Sequence, residues 1–549
     1  MTHKIFSASR NICFLYLVAC LVAIGNLSFQ QNIVYAYETS TTSSSTYHHH
    51  NTESNNVGSN LIPITASEKQ PLPSLVMNAS NDVNNNTNAK INNQNISGLS
   101  SSSPSLSAAD AIQVNADFNN DGRDDLAIGA QDEDVGSIVD AGAVNVIYGS
   151  ASGLSATAAR PDQFWTQNTP DVEDDAEPLD RFGTALSTGD FNKDTFDDLA
   201  IGVNAEDVEV GNIANAGIVH VIYGSASGLS ATAVKPDQKF QQGAGGLDDM
   251  PEQPDNFGFS LGAGDFNKDT FDDLAVGAPN EGITAGFEGI IQVIYGSSSG
   301  LSTSAVLADQ KFQQGAGGLN GMPQLLDTFG FSLGAGDFNK DTFDDLALGV
   351  PGENIGSFTQ AGIVQVIYGS SSGLSTSAVL PDQTFILADG ASPGDPDQYG
   401  LTLSVGDFTQ EGGDDLAVGA PTKQLGPSPE AGTVHVLYGS PSGLGNNFVF
   451  ANHILAQGIN GLDDIIEPGD EFAGTLSSAD FNGDGSADLA VGVPGEDVSG
   501  ISNAGAVNVI YGSHISGLVP IGDQFWTQKI HNEMQRDNAE SGDGMGGIL

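Results

Sequence analysis

Cysteine is almost missing from this chain. Its only two, Cys13 and Cys20, lie within the first 25 residues. No disulfide can therefore staple the rest, and no thiolate nucleophile is available there. Basic residues are scarce as well: Lys plus Arg is 16 against 69 Asp plus Glu, a formal charge of −53. That balance argues against nucleic acid and against an anionic membrane surface, both of which need basic patches. After the first 36 residues no stretch is apolar enough to cross a bilayer. No window carries the sustained stripe of an amphipathic helix either. Glycine is abundant, 70 of 549 residues, as suits many tight turns between short strands. With disulfides excluded, packing and metal are left as the staples.

The N-terminus reads as an export signal. Lys4 and Arg10 precede an apolar run from Ile12 to Leu27, and Val34-Tyr35-Ala36 resembles a small-residue cleavage site. Residues 1–36 are read as a signal peptide, with an uncleaved anchor as the other reading. Leu17-Val18-Ala19-Cys20 has the form of a lipobox, but the apolar run continues past Cys20. This pattern predicts a secreted or cell-surface protein with no integral membrane span in its mature form. Residues 37–109 are rich in Ser, Asn and Thr, as in Ser43-Ser44-Ser45 and Asn84-Asn85-Asn86. Too few apolar residues are present to offset the ordering of the backbone, so a disordered tail is expected. Sequons at Asn78, Asn85 and Asn95 would suit glycosylation there.

Residues 110–549 are repetitive. An acidic nine-residue stretch begins at 117, 190, 265, 337, 407 and 480, a spacing of 73, 75, 72, 70 and 73 positions. Each unit offers four strand candidates, such as Phe257 to Gly264, Asp273 to Pro279, Gly217 to Gly224 and Asp162 to Gln167. Alternation, β-branched residues and glycine punctuation favour strands. Four strands per unit repeated about an axis make a β-propeller, so an all-β propeller of six or seven blades is expected. The last residues, Ala539 to Leu549, align with Ala176 to Leu186. They would form one strand of a further unit, able to pair with the first blade; a truncated gene would give the same pattern.

The acidic stretches place oxygens at positions 1, 3, 5 and 9, with a backbone carbonyl at position 7. They are Asp117, Asn119, Asp121, Arg123, Asp125; Asp190, Asn192, Asp194, Phe196, Asp198; Asp265, Asn267, Asp269, Phe271, Asp273; and Asp337, Asn339, Asp341, Phe343, Asp345. The last two are Asp407, Thr409, Glu411, Asp415 and Asp480, Asn482, Asp484, Ser486, Asp488. With a bidentate ninth carboxylate such a loop supplies about six oxygens, in the range calcium takes. Without a cation the carboxylates repel one another. A solvated Asx-turn hairpin is the alternative. Thr195, Thr270 and Thr342 at position 6, where other loops have glycine, are expected to resist a positive φ and to bend their loops differently. The fifth loop, with Thr409 and Glu411, is expected to be the poorest site.

These motifs resemble the FG-GAP repeat of integrin α-subunit propellers. The resemblance is carried by Phe182-Gly183, Phe257-Gly258, Phe329-Gly330, Gly277-Ala278-Pro279 and Gly419-Ala420-Pro421, with the acidic loops. It implies a propeller, usually seven-bladed, with calcium in the hairpin between the first two strands of a blade. It also implies a ligand surface on the face away from those hairpins, and a role in adhesion.

Catalytic signals are weak. Gly258-Phe-Ser260-Leu-Gly262 and Gly330-Phe-Ser332-Leu-Gly334 fit a nucleophile elbow, but they sit in repeated strands with no following helix. His220 and His435 alternate with Asn145, Gln292, Gln365 and Asn508 at one strand position, which reads as polar and outward. Trp165 and Trp526 are read as packing residues. No enzyme is expected. The favoured function is that of a calcium-stabilised propeller binding an extracellular protein or polysaccharide; the alternative is an extracellular hydrolase or lyase using the propeller channel.

Overall fold

A computed structural model describes residues 113–156, 161–208, 213–232, 235–283, 286–304, 307–377, 379–387, 396–445, 449–528 and 544–547. All of these fall in one compact unit of the chain, 71–549. The expectations for residues 1–36 and 37–109 lie outside the described residues.

The described residues form six antiparallel four-stranded sheets, each strand beside its sequence neighbour. Blades 1 to 6 cover residues 113–165, 185–240, 260–312, 332–385, 403–455 and 476–526. Blade 3 shows the pattern: Ser260–Gly264, Asp273–Ala278, Ile290–Ile294 and Gln310–Phe312. First strands of successive blades lie against one another from blade 1 to blade 6, which makes them the innermost strands of a propeller ring. The fold is the expected β-propeller, with six four-stranded blades.

Hydrophobic burial between blades holds the ring. In the second strand of blade 2, Leu199, Ile201 and Val203 join a cluster with blade 1, while Ala200 turns to a cluster with blade 3. This is the period of two expected of strands buried on both faces. Each full burial of a Leu, Ile or Phe stabilises by about 1.5–3 kcal/mol. The second hairpin residue, Phe118, Phe191, Phe266, Phe338 or Phe408, is fully buried. Its carbonyl accepts from the next blade's serine amide, as Ser297 N to Phe191 O at 3.2 Å. Blade 6 lacks such a neighbour among the described residues, and Phe481 is 50% exposed.

The two halves of the repeated motif meet at the blade boundaries. A Cβ on Gly277 of blade 3 would lie 2.4 Å from Gly330 O of blade 4. One on Gly202 of blade 2 would lie 2.0 Å from Gly258 O of blade 3. The strand-end glycine thus stays bare because the next blade's Phe-Gly turn rests on it. Gly546 sits on Gly492 in the same way, and Met545 bridges Gly505 as Phe182 bridges Gly142. This matches the alignment of the last residues with Ala176 to Leu186. A pairing of those residues with blade 1 lies outside the described residues.

Three side-chain expectations need correction. His220, Gln292, Gln365 and Asn508 are fully buried and His435 nearly so, not outward. The connection between blades folds over the third strand of the next blade. Gln365 Nε2 accordingly donates to Asn320 O at 2.8 Å, and the ring of Phe182, from the connection into blade 2, lies 5.9 Å from that of His220. Thr195, Thr270 and Thr342 adopt φ of 77°, 76° and 75°, beside 80° at Gly122 and 75° at Gly412. Those loops bend alike, with strain of about 1–3 kcal/mol accepted at each threonine. Trp165 is in the core, whereas Trp526 is 37% exposed.

Candidate metal sites in the hairpins

Each acidic stretch forms the hairpin between the first and second strands of a blade. The first carboxylate closes the turn. Asp265 Oδ1 accepts from Asp269 N at 3.0 Å and Oδ2 from Thr270 N at 2.9 Å. Asp117, Asp190, Asp337, Asp407 and Asp480 do the same with their own loops. The fifth residue then caps the seventh. Asp194, Asp269, Asp341 and Asp484 accept from the amides of Phe196, Phe271, Phe343 and Ser486 at 2.9–3.2 Å. In the first loop Arg123 reaches back instead, with Nη1 3.5 Å from Asp121 Oδ1.

The ninth carboxylate is the buried floor of the hairpin. Asp125, Asp198, Asp273, Asp345, Asp415 and Asp488 are at most 1% exposed. Each accepts from a glycine amide in the turn after the third strand, as Gly296 N to Asp273 Oδ1 at 2.9 Å. Asn119, Asn192, Asn267, Asn339 and Asn482 turn their Nδ2 toward it. Burial, reinforced by the carboxylates of positions 1 and 5, pushes its acidity far from the usual range. Asp198 is raised to about 8, Asp273 to about 9 and Asp345 to about 8. Asp125 and Asp488 rise to about 6, and Asp415, crowded by Asp407, to about 8.

The loop residues fit a hard cation in donor type and in what they leave unsatisfied. Asn119 Oδ1, Asp194 Oδ2, Asp269 Oδ2 and Asp415 Oδ2 are buried with no hydrogen-bond partner. A buried acceptor left this way costs roughly 1–3 kcal/mol, more if charged. In the fifth loop Thr409 donates to Asp407 Oδ1 at 3.2 Å, and Glu411 Oε2 pairs with Lys340 Nζ of the previous hairpin at 3.3 Å. Among the described residues, the one acidic trio with ligand oxygens all within 4.8 Å of one another lies outside the hairpins, at Glu252, Asp255 and Glu281.

Position 8 carries a role that sequence reasoning missed. Asp197, Asp272, Asp344 and Asp414 each accept, at 2.8–3.0 Å, from the amide of the first hairpin residue of the preceding blade. Blade 6 has Ala487 there and keeps only the backbone bond to Asp407 O, at 2.9 Å. The signal is the recurring Asp-Asp pair, whose first member serves the neighbouring blade and whose second serves its own. The two elbow-like serines are engaged in contacts between blades. Ser260 and Ser332 donate to Gly330 O and Gly400 O of the following blades, at 2.6 and 2.7 Å.

The model of the FG-GAP repeat matches residues 114–147, 182–222, 257–294, 329–367 and 472–510, which fall on blades 1, 2, 3, 4 and 6. Phosphatidylinositol-glycan-specific phospholipase D of Mus musculus is 33% identical over 165 residues, 30% of this chain and 18% of the relative. Integrin alpha-5 of Xenopus laevis is 28% identical over 266 residues, 48% of this chain and 22% of that one. Integrin alpha ina-1 of Caenorhabditis elegans is 33% identical over 178 residues, 31% of this chain and 15% of that one. The chain thus spans about a fifth of the length of these relatives. Among the described residues no helix is long and apolar enough to cross a membrane. Repeats, hairpins and ring together identify the described residues as an FG-GAP β-propeller resembling that of the integrin α chains.

Proposed function

We propose that residues 110–549 act as a calcium-stabilised extracellular binding propeller whose partner is a protein or a glycan. The export-signal pattern of residues 1–36 and the acidic composition support a secreted or cell-surface setting. The observation that carries the calcium reading is the orphaned buried oxygen in the hairpins, at Asp194 Oδ2 and Asp269 Oδ2, above a fully buried ninth carboxylate. Calcium would be held by the carboxylates and amides of positions 1, 3, 5 and 9, and would supply neutralising charge and rigidity. The chain's own residues set the rest: the first carboxylate closes the turn, and the ninth ties the hairpin to the third strand.

Binding is favoured over catalysis because the two elbow serines are spent on interblade bonds. Fold alone names no reaction. The phospholipase relatives align over only about a fifth of their length, so their activity does not carry over. Calorimetric titration of calcium into the full chain tests the reading. Several ions should bind, and Asp484→Asn with Asp488→Asn should remove one of them. A chain that takes up no calcium would sink it.

A further inference from the structure

A second repeated set of acids lies on the opposite face of the ring. The first strand of each blade runs from its Phe-Gly turn to its hairpin, and the second strand returns. Residues just before that turn and just after the second strand therefore meet at the end away from the hairpins. At the boundary of blades 2 and 3 these are Glu252, Asp255 and Glu281, each with a ligand oxygen within 4.8 Å of the others. Gln242 reaches across from blade 2, and its Nε2 donates to Glu281 Oε2 at 3.0 Å. The arrangement recurs. Gln167 donates to Glu206 at 2.6 Å beside Asp180, Gln314 to Glu353 at 2.8 Å beside Asp327, and Gln457 to Glu496 at 2.8 Å beside Asp470.

Two independent observations point to a positive guest. The first is a set of orphaned acceptors. Oε1 of Gln167, Gln242, Gln314 and Gln457 has no hydrogen-bond partner, and each glutamine is 1% exposed. Asp327 Oδ1 is unpartnered too, on a fully buried side chain. A half-turn of the amide would aim its oxygen at the carboxylates. The second is an exception within the ring. At the boundary of blades 4 and 5, Lys423 stands where the other blades have glutamate, and Leu387 stands where they have glutamine. Lys423 Nζ lies 3.0 Å from Asp397 Oδ2, with both side chains almost fully buried. The chain there supplies a positive charge of its own.

We propose that Gln242, Glu252, Asp255 and Glu281 form a second class of divalent-cation site, between blades and distinct from the hairpins. Related sites lie at three other boundaries, and Lys423 replaces the ion at the fourth. The donors are carboxylate and amide oxygens, the hard set that suits calcium. The boundary of blades 2 and 3 has three carboxylates. That of blades 3 and 4 has two, because Gln324 takes the third place and donates to Glu353 Oε1 at 2.8 Å. Calcium should therefore bind more tightly at the former. The proposal does not depend on calcium in the hairpins.

Flow dialysis with calcium as the probe, on the full chain, tests it. Gln242→Leu with Glu281→Lys copies the lysine boundary and should bind one ion fewer than wild type. Asp269→Asn with Asp273→Asn reports separately on the hairpin of the same blade. The reverse exchange, Leu387→Gln with Lys423→Glu, should gain one ion. An unchanged count in the Gln242→Leu, Glu281→Lys variant overturns the proposal whatever the hairpin variant does. Should that variant not fold, the absence of a gained ion in the reverse exchange overturns it.

Discussion

On the hairpin face, Asp265 gives both carboxylate oxygens to backbone amides of its own loop. On the other face, Asp255 and Glu281 belong to a trio of carboxylates turned toward one another, with a glutamine from the preceding blade as the bridging donor. The hairpin acids are thus half-satisfied by local geometry that any Asx turn supplies. At the boundary only Asp255 has such local help, one amide bond from Glu252 N, and charge of like sign raises the cost of bringing the three acids together. The exception at Lys423 shows what resolves that cost: a cation at the same place. The comparison teaches that acidity in one repeat can serve two purposes, shaping a turn at one end and awaiting a counter-charge at the other.

The sharpest way to break this comparison is to remove the built-in cation. Lys423→Ala takes the cation away from the buried carboxylate of Asp397 and should cost about 3–5 kcal/mol. Lys239→Ala opens a half-exposed pair with Asp174 and should cost roughly 0–1 kcal/mol. Denaturant unfolding of both variants checks this; equal losses would contradict a special role for the boundary lysine. A packing counterpart follows from Phe266 and Phe481, one buried beneath the next blade and one half exposed. Phe266→Ala should lose about 3–5 kcal/mol, and Phe481→Ala within about 0.5 kcal/mol.

Proton linkage gives a smaller, graded effect. Asp198, Asp273 and Glu206 are raised to about 8, 9 and 9 from ordinary values of 3.8 and 4.5. Folding then holds protons that the unfolded chain releases. Their contribution is complete below the ordinary values and is lost as pH climbs toward 8–9. In chelator, the melting temperature should therefore fall from pH 5 to pH 9. The least effect is expected at the strained threonines. Thr270→Gly relieves a positive φ of 76° but gives up a contact from Lys193, so stability should shift by no more than about 1 kcal/mol. A loss above 2 kcal/mol in thermal unfolding would show that the hydroxyl contact dominates.

Much of the ring was legible because it repeats. Spacing of the acidic stretches placed the hairpins, and period-two alternation placed strands such as Asp273–Ala278 within a residue of their ends. Contacts between distant segments were not legible. Position 8 hid behind position 9, since Asp197 and Asp198 are neighbours in sequence but serve different blades. The opposite-face acids are scattered too: Gln242 and Glu281 are 39 residues apart, so no local motif contains both. A trace was present, in a glutamate four residues after the strand-end glycine, as in Gly277 to Glu281 and Gly349 to Glu353. The third-strand His220 misled because polarity was read as exposure. Its cover comes from a connection whose path the sequence pattern does not reveal.

The account rests on the idea that these crowded carboxylates are tolerated because a divalent cation joins them. Melting the full chain at pH 8 in chelator and in millimolar calcium tests that directly, since ligand that binds only the folded state raises stability by mass action. The account predicts a clear rise in melting temperature with calcium, and a shallower dependence on pH. Superimposable curves in the two buffers would contradict it.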